Sequence, residues 1–434
     1  MRYDFPYPGM HGIEFPDEML HGIHAVKSCV QKSGGVETII KECLEKPIGA
    51  KKISDIISNK DQVLIVVDDI SRPTPVAMML PPVLDQLRTV PDENIQFLIA
   101  LGTHRAMTPT EIEQKLGAGV AKRFVVSNHE WSNPAALHDY GTLPDGTRVV
   151  LNKAMRDATF VIGVGSIAPH PAASFSGGGK IIAPGVATEE SVGEMHWQSV
   201  QVPQKDILGV RDNPVRAKVD AIARVAGLKY IVNAIMDGEN KVAHAVAGDP
   251  FEAHVAGCKL AMDIFGVEIE HPEGANIFIT DTYPLDQDLW QGVKAMCALD
   301  IIVPRLAAAI IVTPAREGVS PMHPEVLQHG YVSLDKATRL VHEQGVSKVV
   351  AHNLVQGGRL LEKTIPYLVS PGVPPDQAKK LGFLSRPTPQ AALDDAIFKM
   401  RQQGEQPRIM IIRMGGEIAP VVKTTTSKAS VQRP

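Results

Sequence analysis

The chain has 434 residues, 44% of them hydrophobic and 21% charged, with a formal net charge of −4. This is the composition of an ordinary globular protein of two or three domains, without the overall basic character that points to nucleic acid. No stretch of about 18 apolar residues is present to span a bilayer, and the N-terminus, Met1-Arg-Tyr-Asp-Phe-Pro6, lacks the apolar core of a signal peptide. Cys29, Cys43, Cys258 and Cys297 stand apart with no Cys-x-x-Cys spacing, so they are expected to be free thiols in a cytoplasmic protein.

Short apolar, β-rich runs alternate with helical patterns along the chain. Strands are expected at residues 63–67, 95–101, 124–127, 160–164 and 230–236, then at 277–280, 308–312, 348–351 and 409–412. The alternation predicts an α/β protein of two domains with mixed, largely parallel sheets flanked by helices. Thr108-Pro-Thr-Glu111 has the grammar of a capped helix start, and Asp249-Pro-Phe-Glu252 repeats it. Asp237-Gly-Glu-Asn240 lies between two strand-like runs and reads as a hairpin turn. A boundary is placed near His271-Pro-Glu-Gly274. This gives an N-terminal unit of residues 1–270 and a second unit of residues 271–404, with residues 405–434 expected to pack back on the first. The polar tail from Lys423 onward is expected to fray.

Chemistry concentrates in the loops that follow strands, where open α/β sheets place their ligands. The first is Asp68-Asp-Ile-Ser-Arg-Pro-Thr-Pro75, which leads into a helix that Thr74 is expected to cap and Pro81-Pro82 to kink or break. Its Asp69, Ile70, Ser71 and Arg72 sit where free amides, the helix dipole and a guanidinium favour an anion. The next strand ends in Gly102-Thr-His104-Arg105. The third loop, Gly165-Ser-Ile-Ala-Pro-His-Pro-Ala-Ala-Ser-Phe-Ser-Gly-Gly-Gly-Lys180, holds a proline-flanked His170. Its glycines let backbone approach a ligand, and its lysine can meet phosphate or act as a nucleophile. His196 follows in Glu194-Met-His-Trp197. In the second half, Trp290, Gln291 and Lys294 fall at i, i+1 and i+4 of one helix, so Trp290 and Lys294 share a face. His21, His24, His323 and His329 have no supporting context and read as structural.

Taken together and in this order, Asp69-x-x-Arg72, Gly102-Thr-His104, His170 with Gly177-Gly-Gly-Lys180, His196 and Gln291-x-x-Lys294 resemble the nickel-dependent lactate racemase family of 2-hydroxyacid racemases and epimerases. The resemblance implies a cofactor, the nickel pincer nucleotide (nickel pyridinium-3,5-bisthiocarboxylic acid mononucleotide), attached covalently at Lys180. It implies His196 as the protein ligand to nickel, and His104 and His170 as acid/base residues, one for each enantiomer. Asp69 to Arg72 would hold the cofactor and help bind substrate, while Gln291 and Lys294 would face the substrate. The partners it implies are the 2-hydroxy acid and the proteins that synthesise the cofactor. Trp290 departs from the tyrosine expected in the lactate enzyme, so a 2-hydroxy acid other than lactate, and larger, is expected.

Chemistry bears on the same residues. The α-hydrogen of a hydroxy acid is too weakly acidic for an imidazole to remove as a proton near neutrality. A histidine that takes the hydroxyl proton while hydride leaves the α-carbon avoids that difficulty, through a 2-oxo acid intermediate. Two alternatives use the same residues. A zinc hydrolase could gather His104, His170 and His196, although the His-Glu-x-x-His spacing is absent. A noncatalytic binder of a phosphorylated molecule would use Arg72 and Lys180 and leave the histidines idle.

Overall fold

The computed structural model describes residues 1–29 and 34–423. The tail from Thr424 onward, expected to fray, lies outside the described residues. Two six-stranded sheets organise the chain. The first runs in the order Val242–Gly248, Leu228–Met236, Phe160–Ser166, Val63–Asp68, Ile95–Ala100, Val125–Asn128. All its neighbours are parallel except the hairpin pair at one edge. The second is parallel throughout, in the order Leu384–Ser385, Ile365–Val369, Ala308–Val312, Ile277–Asp281, Ile409–Ile412, Leu20–His24. Central strands such as Val63–Asp68 and Ala308–Val312 are buried at every residue, as parallel strands covered by helices on both faces must be.

Sheet membership departs from the expected boundaries at both chain ends. Leu20–His24 and Ile409–Ile412 pair in the second sheet. Within the described part of the C-terminal stretch, Ala419–Lys423 pairs with Gly266–Glu270 of the first part of the chain. The apolar Ile409-Met-Ile-Ile412 is buried throughout and covers what would otherwise be an open edge of Ile277–Asp281.

Local signals held where their side chains were free to act. Thr108 and Glu111 form the reciprocal capping box. Asp249 accepts from the amides of Phe251 and Glu252, although regular helix begins only at Glu252. Asp237 to Asn240 closes the antiparallel hairpin.

Three expectations fail. Residues 348–351 are not a strand but the first turn of the helix Lys348–Leu361, capped by Ser347; the cap and a buried face outweigh the β-propensity of two valines. Pro81 and Pro82 do not end their helix, which runs Val76–Asp85. Burial of Val76, Met79, Leu80 and Val83 compensates for the missing amide donors. Thr74 does not cap that helix, because its hydroxyl donates to Asp68 Oδ2 at 2.5 Å.

Each sheet reverses strand order at one point. In the first, the chain steps to opposite sides of Val63–Asp68, so the crevice beside Phe160–Ser166 opens at its carboxyl end. In the second, Ala308–Val312 and Ile409–Ile412 flank Ile277–Asp281. Such switch points leave a crevice outside the strand ends. The two crevices meet, since His104 of the first reaches Gln291 of the second. Among the described residues no helix is long and apolar enough to cross a membrane.

Candidate active site

A cavity of about 110 Å³ lies where the crevices meet. It is lined by Asp69, Arg72, His104, His170, Lys180 and His196 from the first half, and by Trp290, Gln291 and Lys294 from the second. Ile70 and Ser71 line an adjoining hollow instead, together with Thr103 and His323. Residues 68–74 are held rigidly by Lys115, a buried lysine that sequence reading passed over. Its Nζ pairs with Asp68 at 2.8 Å and donates to the carbonyls of Arg72 and Thr74.

His104 sits in a directed chain of hydrogen bonds. Lys294 Nζ donates to Gln291 Oε1, so the amide turns its nitrogen to His104 Nε2, 2.8 Å away. His104 Nδ1 lies 2.6 Å from Asp69 Oδ2, and Ser71 donates to the other carboxylate oxygen from its backbone and hydroxyl. Burial works to raise the Asp69 pKa, but His104, Arg72 and Ser71 override it and hold the carboxyl well below its usual range. An ionised Asp69 places the imidazole proton on Nδ1 and leaves the Nε2 lone pair toward the cavity.

His170 has the opposite arrangement. The Ala172 amide donates to its Nδ1 at 3.2 Å, which leaves Nε2 to carry the hydrogen. Burial, then the charges of Lys180, Lys294 and Arg72, push its pKa well below the ordinary value. The same crowding lowers Lys180 to about 7, through burial first and then Arg72 and Arg216. Lys294 is lowered too, by burial, Arg72 and Lys180. Three cations share this cavity, which therefore favours anions.

The glycine loop is shaped by packing as much as by a ligand. Gly177 and Gly178 adopt φ of 69° and 54°, in the left-handed region where glycine is favoured. A Cβ on Gly178 would lie 2.6 Å from Arg216 and His254, and one on Gly179 would lie 2.9 Å from Ala223. The fully buried Arg216 donates to the carbonyls of Phe175 and Gly177, and Asn233 accepts from the Gly178 amide. This clamp delivers Lys180 to the cavity.

His196 lies on the helix Glu189–Ser199 with both ring nitrogens buried and unpartnered. Its ring stacks on His352, centroids 4.7 Å apart and planes at 23°. His352, Asn353 and Gln356 all line the cavity, at 5%, 2% and 3% exposure, and each keeps a polar atom unpartnered. Sequence reading missed them because their segment was taken for a strand. Read as a helix, polar residues at i, i+1 and i+4 in an apolar stretch would have marked them. His323, taken as structural, stacks on Trp290 at 4.4 Å and contacts Thr103.

Among the described residues no group of three or more His, Cys, Asp or Glu is placed to hold a metal. His104, His170 and His196, the histidines of the zinc hydrolase alternative, do not form such a group.

Residues 9–207 match the family model described as the lactate racemase N-terminal domain. The lactate racemase of Thermoanaerobacterium thermosaccharolyticum is 34% identical over 292 residues, covering 66% of this chain and 67% of that protein. The lactate racemase of Lactiplantibacillus plantarum is 30% identical over 281 residues, covering 64% of this chain and 66% of that one. The structure of the lactate racemase apoprotein from T. thermosaccharolyticum superposes with a TM-score of 0.85 at 26% identity, over 98% of this chain and 100% of that chain. A Thermotoga maritima protein shares the fold at a TM-score of 0.72 and 20% identity, over 91% of this chain and 100% of that one. A cavity with two imidazoles in opposite tautomers, a lysine displaced toward neutrality and an unpartnered histidine thus occurs in a chain that belongs to the lactate racemase family.

Proposed function

We propose that this chain is a racemase or epimerase that inverts C2 of a 2-hydroxy acid, using the nickel pincer nucleotide bound at Lys180. The observation that carries the reading is the meeting of His104, His170, Lys180 and His196 in one cavity with Arg72 and Lys294. The residues fit the cofactor. A buried imidazole with no partner on either nitrogen is costly unless a ligand takes one, and imidazole suits nickel. Lowered to about 7, Lys180 supplies near neutrality a substantial share of the free amine that an acyl group requires. When bound, the cofactor supplies a reversible acceptor for the C2 hydrogen and its electron pair.

The protein's own groups perform the rest. Arg72 and Lys294 bind the substrate carboxylate and orient C2. The substrate hydroxyl displaces the Gln291 N–H from His104 Nε2 and gives that nitrogen its proton, with Asp69 stabilising the imidazolium. The C2 hydrogen leaves with its pair and a 2-oxo acid forms. When the hydrogen returns to the opposite face, His170 protonates the oxygen; for the protons to balance, His170 enters this turnover as the imidazolium and leaves it neutral, while His104 enters neutral and leaves charged. For the other enantiomer the two imidazoles exchange roles. The cationic field that depresses His170 relaxes in the loaded site: acylation removes the charge on Lys180, and the substrate carboxylate offsets another.

Trp290 lays a broad aromatic face, backed by His323, along the cavity, and a substituent larger than the lactate methyl can pack against it. The preferred substrate is accordingly larger than lactate.

The test is nickel analysis with peptide mass mapping of active protein, made alongside the cofactor-synthesis proteins. The reading requires stoichiometric nickel and a nucleotide adduct on Lys180. Full activity with Lys180 unmodified would contradict it.

A further inference from the structure

A histidine that ligates a metal usually donates its second ring nitrogen to a carboxylate or carbonyl, which fixes the ring. His196 has no such partner. What it has is the face of His352, 4.7 Å away at 23°.

That face is held in place from end to end. The helix Lys348–Leu361 lies along Glu189–Ser199, and the residues that touch ascend together along both segments. Near the start, Gly193 lets the helices close: a Cβ there would lie 3.1 Å from Lys348 Cβ and 3.4 Å from the Val349 amide nitrogen. Beside it Lys348 pairs with Glu194 at 2.5 Å. Near the other end Arg359 donates to the carbonyls of Val200 and Val202, at 2.5 and 3.0 Å. Between these two anchorages sits the His196–His352 stack. His352 is itself buried, with neither nitrogen bonded within the chain, and the ring contact it makes is the stack on His196.

We propose that His352 is a positioning residue for His196. Its ring, carried on a helix docked along Glu189–Ser199, fixes the plane of the nickel-ligating imidazole by stacking, in place of the usual hydrogen bond. The proposal rests on the reading of His196 as the nickel ligand. It also makes the second half of the chain a determinant of metal retention, although its ring would not touch the metal.

The test uses holoprotein with His352→Phe, which keeps a flat ring without nitrogens, and His352→Leu, which keeps bulk without a ring. Nickel loss to a strong chelator is followed by metal analysis, with intact mass reporting the Lys180 adduct and thermal melting reporting the fold. His352→Phe should lose nickel within about threefold of the wild-type rate. His352→Leu should lose it about 10–100-fold faster, the range typical of groups that orient a ligand, with the adduct still on Lys180. A wild-type rate for His352→Leu would overturn the proposal. Equally fast loss from both variants would overturn it too, because the nitrogens and not the stack would then be at work. Should His352→Leu fail to fold, Gly193→Ala, which presses the docked helix outward and spares both rings, should also speed nickel loss, and an unchanged rate would count against the proposal. His196→Ala separates the two ideas: if it keeps nickel as the wild type does, the ligand assignment itself fails.

Discussion

His104 Nδ1 lies 2.6 Å from Asp69 Oδ2, which joins the loop after Val63–Asp68 to the loop after Ile95–Ala100. This contact decides which imidazole nitrogen faces the cavity. Lys294 and Gln291 reinforce the choice from the opposite side, since the amide can only present its N–H to His104 while its oxygen accepts from lysine.

Asp69→Asn should therefore damage turnover without damaging the fold. An amide in place of the carboxylate no longer fixes the tautomer or stabilises the imidazolium. A loss of about 10³- to 10⁴-fold in both directions is expected, by analogy with the buried aspartate of a catalytic triad. The nickel content and the adduct at Lys180 should persist. A loss smaller than about tenfold, measured by single-enantiomer polarimetry, would show that Asp69 does not set the state of His104.

Asp281, at the end of the central strand of the second sheet, should make stability depend on pH in a recognisable direction. Burial pushes its pKa up to about 7, against hydrogen bonds from the Met414 and Tyr283 amides and the charge of Arg413. The folded state therefore keeps a proton that the unfolded chain releases near pH 4. Its contribution is full below about pH 4 and is lost as pH rises toward about 7. Asp281→Asn, which cannot ionise, removes that loss. The unfolding free energy of the variant relative to the wild type, followed by denaturant titration, should rise between pH 5 and pH 8, by on the order of a few kcal/mol at most. A constant difference across that range would contradict the assignment.

Much of this was legible in the sequence. Val63–Asp68, Ile95–Ala100, Ala308–Val312 and Ile409–Ile412 lie within a residue of expectation, because runs buried on both faces are continuously apolar. The loop residues after them could be named because strand ends in such sheets are where ligands bind. What escaped was non-local. Nothing near Leu20 or Ile409 tells which of two sheets will take a short apolar strand. Lys115 and Arg216 read as ordinary helix cations, and only the fold shows them buried under the loops they hold. His352 was lost to a β-branched pair, Val349-Val350, that resembles a strand until Ser347 caps it into a helix.

Trp290 governs the choice of substrate in this account. Its ring is pinned by stacking on His323, and its carbonyl accepts from Asn353, so it offers a fixed apolar face for a substrate side chain to pack against. In a panel of single-enantiomer 2-hydroxy acids compared by kcat/KM, lactate should not be the best substrate. Trp290→Tyr should raise lactate relative to larger acids, by about tenfold for a difference of 1.4 kcal/mol in transition-state binding. Lactate leading the panel for the wild type would refute the idea.

The central claim is that the C2 hydrogen departs with its electron pair and returns to the same carbon on the other face, while the two histidines handle only the oxygen-bound proton. Substrate carrying deuterium at C2 tests this most directly, with isotope content and stereochemistry followed together in ordinary water. The account predicts that inversion is slowed by the heavier isotope and that the inverted product keeps most of its label. Loss of deuterium to solvent at the rate of inversion would mean that a base removes that hydrogen as a proton, and the assignment of His104 and His170 would be wrong.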